Sequence, residues 1–305
     1  MTAKIILNPY AGRWKALKLR PQVEAALEAE KIDYELALSE GSQHATQLAA
    51  EAVRAGFTPI IAAGGDGTIS EIVNGLWQAT AADDPLSAFG LLPLGSANDL
   101  ANNLGLPLDL KAAVKRITRG QTRRIDLCEV KYGSPSKPRC FVNNAAIGLE
   151  PTVTLIQAGM KRLRGTPRYL LAALRGVYAN PQWNAHVTWE GGGYEGPVSL
   201  VSVGNGPITG GLFYMAPYAV LDDGQLTFVY GHVPRRLDMF RILPATMKPG
   251  EGNYIENPAI HQVHTSWLHI QTDTPTPLHA DGEIQSEGVQ EMEFRILPKG
   301  LDILA

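Results

Sequence analysis

Residues 60–76 constrain this chain more than any other stretch. Ile60-Ile61-Ala62-Ala63 is a short apolar run, Gly64-Gly65-Asp66-Gly67 is a glycine-rich turn around one acid, and Ile69, Ile72, Val73 and Leu76 follow at i, i+3, i+4 and i+7. That spacing marks one face of a helix, so the stretch reads as strand, tight turn, helix. In an open parallel sheet such a turn sits at the carboxyl ends of the strands, where ligands bind. Glycines permit positive φ and let a ligand approach the backbone N–H groups. The helix N-terminus adds donors and partial positive charge, so phosphate is the expected guest. Thr68 suits an N-cap or first-turn place, and its hydroxyl could reach a phosphate. Asp66 would repel that phosphate unless a metal ion or a transferring proton stood between them, which points to chemistry rather than anion storage.

A second turn repeats the pattern. Phe89-Gly90-Leu91-Leu92 leads into Pro93-Leu94-Gly95-Ser96-Ala97-Asn98-Asp99, before the apolar Leu100 and Leu104. Either turn alone is an ordinary connection. Two of them after successive strands would lie side by side and read as a nucleotide site. The sequence contains no Gly-x-x-x-x-Gly-Lys-Ser/Thr, so the site is not a P-loop.

The elements around these turns alternate. Residues 5–8 read as a strand, and Asn8-Pro9-Tyr10-Ala11-Gly12 as a turn. Pro21 is expected to open a helix, or to lie one turn inside its start, with Val23, Ala26, Leu27 and Ile32 as its apolar stripe. Residues 34–38 and 58–62 read as strands, and residues 44–55 and 108–119 as helices. This alternation predicts a parallel sheet covered by helices. From Arg123 the texture changes: residues 123–130, 140–147, 183–189, 198–203, 226–230, 263–270 and 291–296 are strand-like, with Glu190–Gly196 as a hairpin connection. A second, antiparallel domain is therefore expected from near residue 122.

Residues 151–180 interrupt the strands as one helix. Lys161, Arg162, Arg164, Arg168 and Arg175 lie among Leu163, Tyr169, Leu170, Leu171 and Leu174. The segment reads as a solvated basic face or, alternatively, as a surface for an anionic membrane; residues 235–243 are a shorter case. A net charge of −3 gives no general pull toward nucleic acid. No apolar run reaches membrane-spanning length, and Met1-Thr2-Ala3-Lys4 leads straight into Ile5-Ile6-Leu7 without a leader. A cytoplasmic protein is expected, one that would meet a lipid only as a transient peripheral visitor. Cys128 and Cys140 read as small buried hydrophobes, and His186, His232, His261, His264, His269 and His279 show no metal-ligand spacing.

Gly64-Gly65-Asp66-Gly67-Thr68, with Glu71 in the next turn, and Pro93-Leu94-Gly95-Ser96-Ala97-Asn98-Asp99 resemble the two signature turns of the diacylglycerol-kinase catalytic domain. The nearest branch is the soluble bacterial lipid kinases of the YegS type. Asn8-Pro9-Tyr10-Ala11-Gly12 is similar to that family's N-terminal turn, and Asp281-Gly282-Glu283 to its Asp-Gly-Glu. The first turn alone is shared with NAD kinases and 6-phosphofructokinases; the second is far more specific. The resemblance covers nearly the whole chain. It implies an α/β nucleotide-binding domain over residues 1–122, with residues 297–305 returning to it, and a lipid-substrate domain over residues 123–296 built as an antiparallel β-sandwich with helices.

The resemblance implies an ATP site lined by Ser39, Gly64, Gly65, Asp66, Gly67, Thr68 and Ile69, with Gly95, Ser96 and Asn98 from the second turn. The family usually has Thr where Ser39 and Ser96 stand, and Ser keeps the hydroxyl. Asp66 is the candidate for the catalytic Mg²⁺, since hard cations take oxygen ligands. The family's general base belongs to the Asp-Gly-Glu turn; Glu283 is favoured as acceptor of the lipid hydroxyl proton, with Asp281 as the alternative. Asp222-Asp223-Gly224-Gln225 alone is a plain Asp-Gly turn. In the resembling enzymes it holds a structural Mg²⁺, here through Asp223 and the carbonyls of Val220 and Gln225. Gly204-Asn205-Gly206, Thr209-Gly210-Gly211 and residues 141–148 resemble lipid-facing segments, and as bends in strands they read nearly as well. The implied activity is phosphorylation of a lipid hydroxyl, on diacylglycerol or a related glycerolipid. The alternatives are an NAD kinase-like enzyme with a soluble substrate and a non-catalytic lipid- or nucleotide-binding protein.

Overall fold

A computed structural model of the chain describes residues 2–81, 85–133, 137–160 and 166–305. By its contacts the chain divides into two compact units, Met1–Leu127 with Leu297–Ala305, and Cys128–Ile296.

The first unit alternates strand and helix: β1 (Ala3–Leu7), α1 (Ala11–Ala29), β2 (Tyr34–Leu38), α2 (His44–Arg54), β3 (Ile60–Gly64), α3 (Asp66–Ala79), β4 (Phe89–Pro93), α4 (Asp99–Asn103) and α5 (Leu110–Thr118). The strands run parallel in the order β2-β1-β3-β4. Every residue of β1 and β3 is buried, as expected of parallel strands covered on both faces. Ile69, Ile72, Val73 and Leu76 on α3 are all buried. Glu71 of the first signature turn has a structural duty: its carboxylate accepts the Gln43 and Ala45 N–H groups at 3.0 and 3.1 Å. It thereby caps α2, which begins from Gln43 in the left-handed region.

Helix α1 corrects one expectation. It starts at Ala11, ten residues before Pro21, which lies inside it. Its buried stripe begins at Ala16 and continues through Val23, Ala26 and Leu27, and that burial outweighs the hydrogen bond lost at Pro21. Ile32 lies beyond the helix and packs against the same core.

The second unit is antiparallel. Strand β5 (Thr122–Tyr132) leads into β6 (Lys137–Phe141) and β7 (Asn144–Gly148); α6 (Leu149–Gly159) and α7 (Thr166–Ala179) follow. Then come β8 (Trp183–Trp189), β9 (Gly192–Val198), β10 (Leu200–Gly204), the two-residue strands β11 (Ile208–Thr209) and β12 (Phe213–Tyr214), β13 (Leu226–Gly231), α8 (Arg236–Ile242), β14 (Ile260–Thr265), β15 (Trp267–Ala280) and β16 (Glu283–Leu304). The first half of β15 pairs with β8 and its last residues pair with β7, with register shifts between Gln271 and His279. One strand thus serves both layers of a β-sandwich. Phe141, Val187, Val203, Phe228, Leu268 and Phe294 fill the space between the layers.

Four expected elements of this unit are redrawn. Residues 140–147 form two strands, because Val142 and Asn143 turn their N–H groups to the Asp281 carboxylate instead of to a neighbouring strand. Residues 190–196 are not a loop: Gly192–Val198 pairs with β8, and Gly192 lies where a Cβ would meet the Trp189 ring at 2.6 Å. Residues 263–270 break at Ser266, whose carbonyl accepts the Ile296 N–H. Residues 151–180 hold two helices, not one. Lys161, Arg162, Leu163 and Arg164 of the expected basic segment lie outside the described residues. Arg168 Nε donates to the Gln157 carbonyl at the end of α6.

Candidate active site

The two glycine turns meet backbone to backbone. A Cβ on Gly95 would stand 2.5 Å from Gly65 Cα, and one on Gly65 would stand 3.0 Å from Gly95 Cα. The Leu94 N–H donates to the Gly64 carbonyl at 2.8 Å. The glycines were expected to supply positive φ, but Gly65 is extended at φ −106°, and none of Gly64, Gly65, Gly67 and Gly95 takes positive φ. Their absent side chains matter for space. A Cβ on Gly64 would collide with Thr68.

Helix α3 begins from Gly65 with no side-chain cap. Asp66, Gly67 and Thr68 lie in its first turn, where backbone N–H groups lack intrahelical partners. This is a fitting cradle for phosphate oxygens. Thr68 Oγ1 accepts from Asn8 Nδ2 at 2.9 Å, so the Asn8-Pro9 turn is tied to the cradle. Asn8 was read as part of a turn only. Its place after β1, level with the ends of β3 and β4, was the available signal. Ser39 is buried at the end of β2, while Ser96 is exposed. Asn98 sits in the left-handed region at φ 52°, and its Oδ1 accepts the Gly95 N–H at 3.0 Å. Asn98 thus shapes the second turn from within.

Asp66 turns toward the start of α4. Its Oδ1 accepts the Leu100 N–H at 3.4 Å. Burial pushes its carboxyl above the ordinary value, and N–H groups of Leu100, Asp99 and Asn98 pull it part of the way back. A buried carboxylate beside such a cradle suits Mg²⁺, which takes one or two carboxylates and completes its shell with phosphate oxygens and water.

The Asp281-Gly282 turn joins β15 to β16. Both residues have positive φ, 48° and 76°, the pattern of a type I′ hairpin. The Asp281 side chain is not a surface ornament on it. It is 8% exposed and accepts the Val142, Asn143 and Asn144 N–H groups at 3.1, 2.8 and 3.3 Å. Glu283 differs: its side chain is 35% exposed and pairs with Arg139 at 3.3 Å.

From this turn a polar chain leads to an apolar cavity of ≈ 70 Å³ within the same unit. Asn144 accepts the Asp281 N–H at 2.7 Å through its carbonyl, and its Nδ2 donates to Glu150 Oε2 at 3.2 Å. Glu150 lines the cavity with Val153, Ala173, Val177, Met239 and Leu243. Among the described residues its buried Oε1 has no hydrogen-bond partner, and Oε2 lies 3.7 Å from Nε2 of the buried His279. Neither Glu150 nor His279 was singled out as a site residue. An acid two residues after Gly148 in an apolar segment was the one available hint.

Val220, Asp223 and Gln225 lie in the turn before β13. Asp223 is exposed, and its Oδ1 accepts the Gln225 N–H at 2.9 Å. The exposed carboxylate and neighbouring carbonyls are hard oxygen donors of the kind Mg²⁺ takes. Among the described residues no group of three or more His, Cys, Asp and Glu side chains is placed to hold a metal ion. Among the described residues no helix is long and apolar enough to cross a membrane.

Residues 2–130 match the family described as "Diacylglycerol kinase catalytic domain". Residues 143–305 match "YegS C-terminal NAD kinase beta sandwich-like domain". The chain is 32% identical over 261 residues to "Lipid kinase YegS" of Escherichia coli (strain K12), covering 84% of this chain and 81% of that protein. It is 32% identical over 240 residues to "Probable lipid kinase YegS-like" of Chromohalobacter salexigens, covering 78% of this chain and 73% of that protein. A diacylglycerol kinase structure from Bacillus anthracis shares the fold, with a TM-score of 0.75 at 21% identity over 99% of this chain and 96% of that one.

Proposed function

From its membership of the diacylglycerol kinase family, in the branch of YegS-like lipid kinases, we propose that this lipid kinase transfers the γ-phosphoryl group of ATP to a hydroxyl of diacylglycerol or a related glycerolipid. The observation that carries the reading is the contact of Gly65 with Gly95, beside the uncapped start of α3. It sets the second turn against the uncapped N–H groups at the start of α3 and leaves no room there for a side chain.

The roles follow from the surroundings of each residue. N–H groups of Gly67 and Thr68 hold phosphate oxygens, with the Thr68 hydroxyl beside them, and Gly95 and Ser96 border the bed. Asp66 holds Mg²⁺, which when bound offsets the charge of the transferring phosphoryl group. Glu283 takes the proton of the lipid hydroxyl, and Arg139 fixes its carboxylate. Asp281 shapes the turn that presents it. The apolar cavity receives an acyl chain, with Glu150 and Asn144 at its polar side. The lipid is met at a bilayer surface by α7 and α8, where Leu170, Leu174, Tyr178 and Leu237 are exposed among Arg175, Arg235, Arg236 and Arg241. A structural Mg²⁺ at Asp223 would brace the turn before β13.

The test is label transfer from γ-labelled ATP with Mg²⁺ to mixed micelles of diacylglycerol, phosphatidylglycerol, ceramide or sphingosine, with NAD as soluble control. Label in a glycerolipid, lost in Asp66→Asn and Glu283→Gln, is the expected result. Label in NAD alone, or equal transfer by both variants, would sink the proposal.

A further inference from the structure

We propose that Tyr10 and Trp14 form a platform on which the purine base of the nucleotide stacks. The proposal rests on the reading of the glycine turns as an ATP site. It adds what neither turn supplies: recognition of the base.

The two aromatics are out of place as structural residues. Tyr10 is 44% and Trp14 55% exposed, although aromatic side chains are the main currency of cores. Their rings pair edge to face at 4.4 Å between centroids, inclined by 69°. That arrangement leaves ring faces to solvent. Trp14 also holds φ 68°, a backbone state that is a genuine outlier for a bulky residue. Such outliers persist where surroundings enforce them, and they gather at ligand sites. Here the enforcement is visible. The Trp14 N–H donates to the Tyr10 carbonyl at 3.3 Å. Gly12, at φ 56°, lies so close to the second glycine turn that a Cβ would stand 2.7 Å from the Leu94 carbonyl oxygen.

The platform is wired to the phosphate cradle. Thr68 Oγ1 accepts from Asn8 Nδ2 at 2.9 Å, and Asn8 Oδ1 accepts the Tyr10 N–H at 2.9 Å. The Tyr10 hydroxyl donates to the Glu40 carbonyl at 3.2 Å, next to Ser39. The aromatics therefore stand at the carboxyl end of the parallel sheet, beside the bed that would hold the phosphates. A base needs no specific hydrogen bond to stack, because every base has a π-face; alanine substitution of a stacking partner typically weakens binding about 5- to 150-fold.

The experiment is calorimetric titration of ATP and of inorganic tripolyphosphate, both with Mg²⁺, into wild type, Trp14→Ala, Trp14→Phe and Tyr10→Ala. Trp14→Ala should weaken ATP at least fivefold and leave tripolyphosphate within twofold, while Trp14→Phe should retain most of the ATP affinity. Equal loss of both ligands would mean that Trp14 only shapes the helix start, and unchanged ATP affinity would mean that no base rests there; either overturns the proposal. Should Trp14→Ala fail to fold, wild-type fluorescence decides: ATP should quench a signal that is missing in Trp14→Phe, and tripolyphosphate should not. Absence of quenching overturns the idea. Failure of the ATP site itself would look different, since neither ATP nor tripolyphosphate would bind the wild type.

Discussion

Asp281 and Glu283 stand two residues apart and have opposite surroundings. The Asp281 carboxylate serves three backbone N–H groups in a buried bend, and removing it strands those donors. Asp281→Ala is expected to lower stability by roughly 3 kcal/mol or more, since a buried donor without a partner costs about 1–3 kcal/mol. Glu283→Gln keeps its place beside Arg139 and should unfold like wild type, yet lose on the order of 100-fold or more in turnover, the usual worth of a general base. Urea unfolding and kcat on the same samples check both; a stable but inactive Asp281→Ala would exchange the two roles. Asp66 adds a pH signature. Burial raises its folded-state pKa above the unfolded value, so its ionisation works against folding. That penalty is absent below the unfolded pKa and present in full once the pH exceeds the folded one. Asp66→Asn should therefore match wild type in acid and equal or exceed its stability near neutral pH, while losing phosphoryl transfer. Wild-type activity should fall on the acid side at a pH above the ordinary value of an aspartate. A melt of the variant that drops near neutral pH would refute this.

At the scale of elements, the cradle is two strand–turn–helix pieces pressed together at Gly65 and Gly95. Gly95→Ala puts a Cβ 2.5 Å from Gly65 Cα, and neither backbone can yield without moving β3 or β4. ATP and tripolyphosphate affinity should both fall at least tenfold, with a lower melting temperature; unchanged affinity for both would remove the turns from the site. These pieces were legible because helix periodicity, apolar runs and glycine clusters are local signals. What stayed hidden depends on distant partners. Nothing near residues 140–147 says that Asp281 will draw off their N–H groups, and nothing near Gly192 says that its edge will pair against Trp189. Pro21 misled for a related reason: it is a good first-turn residue, but burial of Ala16 carries α1 past it. Helices α7 and α8 show the same limit. Their buried sides line the cavity and their outer sides expose Leu170, Leu174, Tyr178 and Leu237. Arg236 stacks 5.0 Å over Tyr178 and joins the two helices. Asp238 is the one acid on α7 and α8. This basic, apolar face should bind phosphatidylglycerol vesicles and not phosphatidylcholine ones. Tyr178→Ser with Leu237→Gln should release the protein in a sedimentation assay without altering turnover of a water-soluble short-chain diacylglycerol.

For the molecule as a whole, the cavity is the feature that folding alone does not explain. Protein interiors are packed close to crystal density, and an unfilled apolar space costs about 24 cal/mol per Å³. For the ≈ 70 Å³ here, part of which opens to solvent, that sets an upper bound of roughly 2 kcal/mol, still a noticeable share of the 5–15 kcal/mol by which domains of this kind are stable. A chain under selection for stability alone has an easy remedy, because Ala173 lines the space and is small. That the space persists, beside Glu150 and the polar chain to the Asp281 turn, fits a protein that holds room for part of its substrate. The two demands can be set against each other in one variant. Ala173→Leu should fill the cavity and leave the protein as stable as wild type or about 1 kcal/mol more so, as cavity-filling substitutions commonly do. It should also raise KM for a long-chain diacylglycerol about tenfold or more, with little change in kcat. A short-chain analogue, with no tail to place there, should be phosphorylated as before. If Ala173→Leu stabilises the protein and long- and short-chain substrates respond alike, the space is a packing defect and the acyl chain lies elsewhere. If long-chain turnover alone suffers, the empty volume is the part of the fold that chooses the substrate.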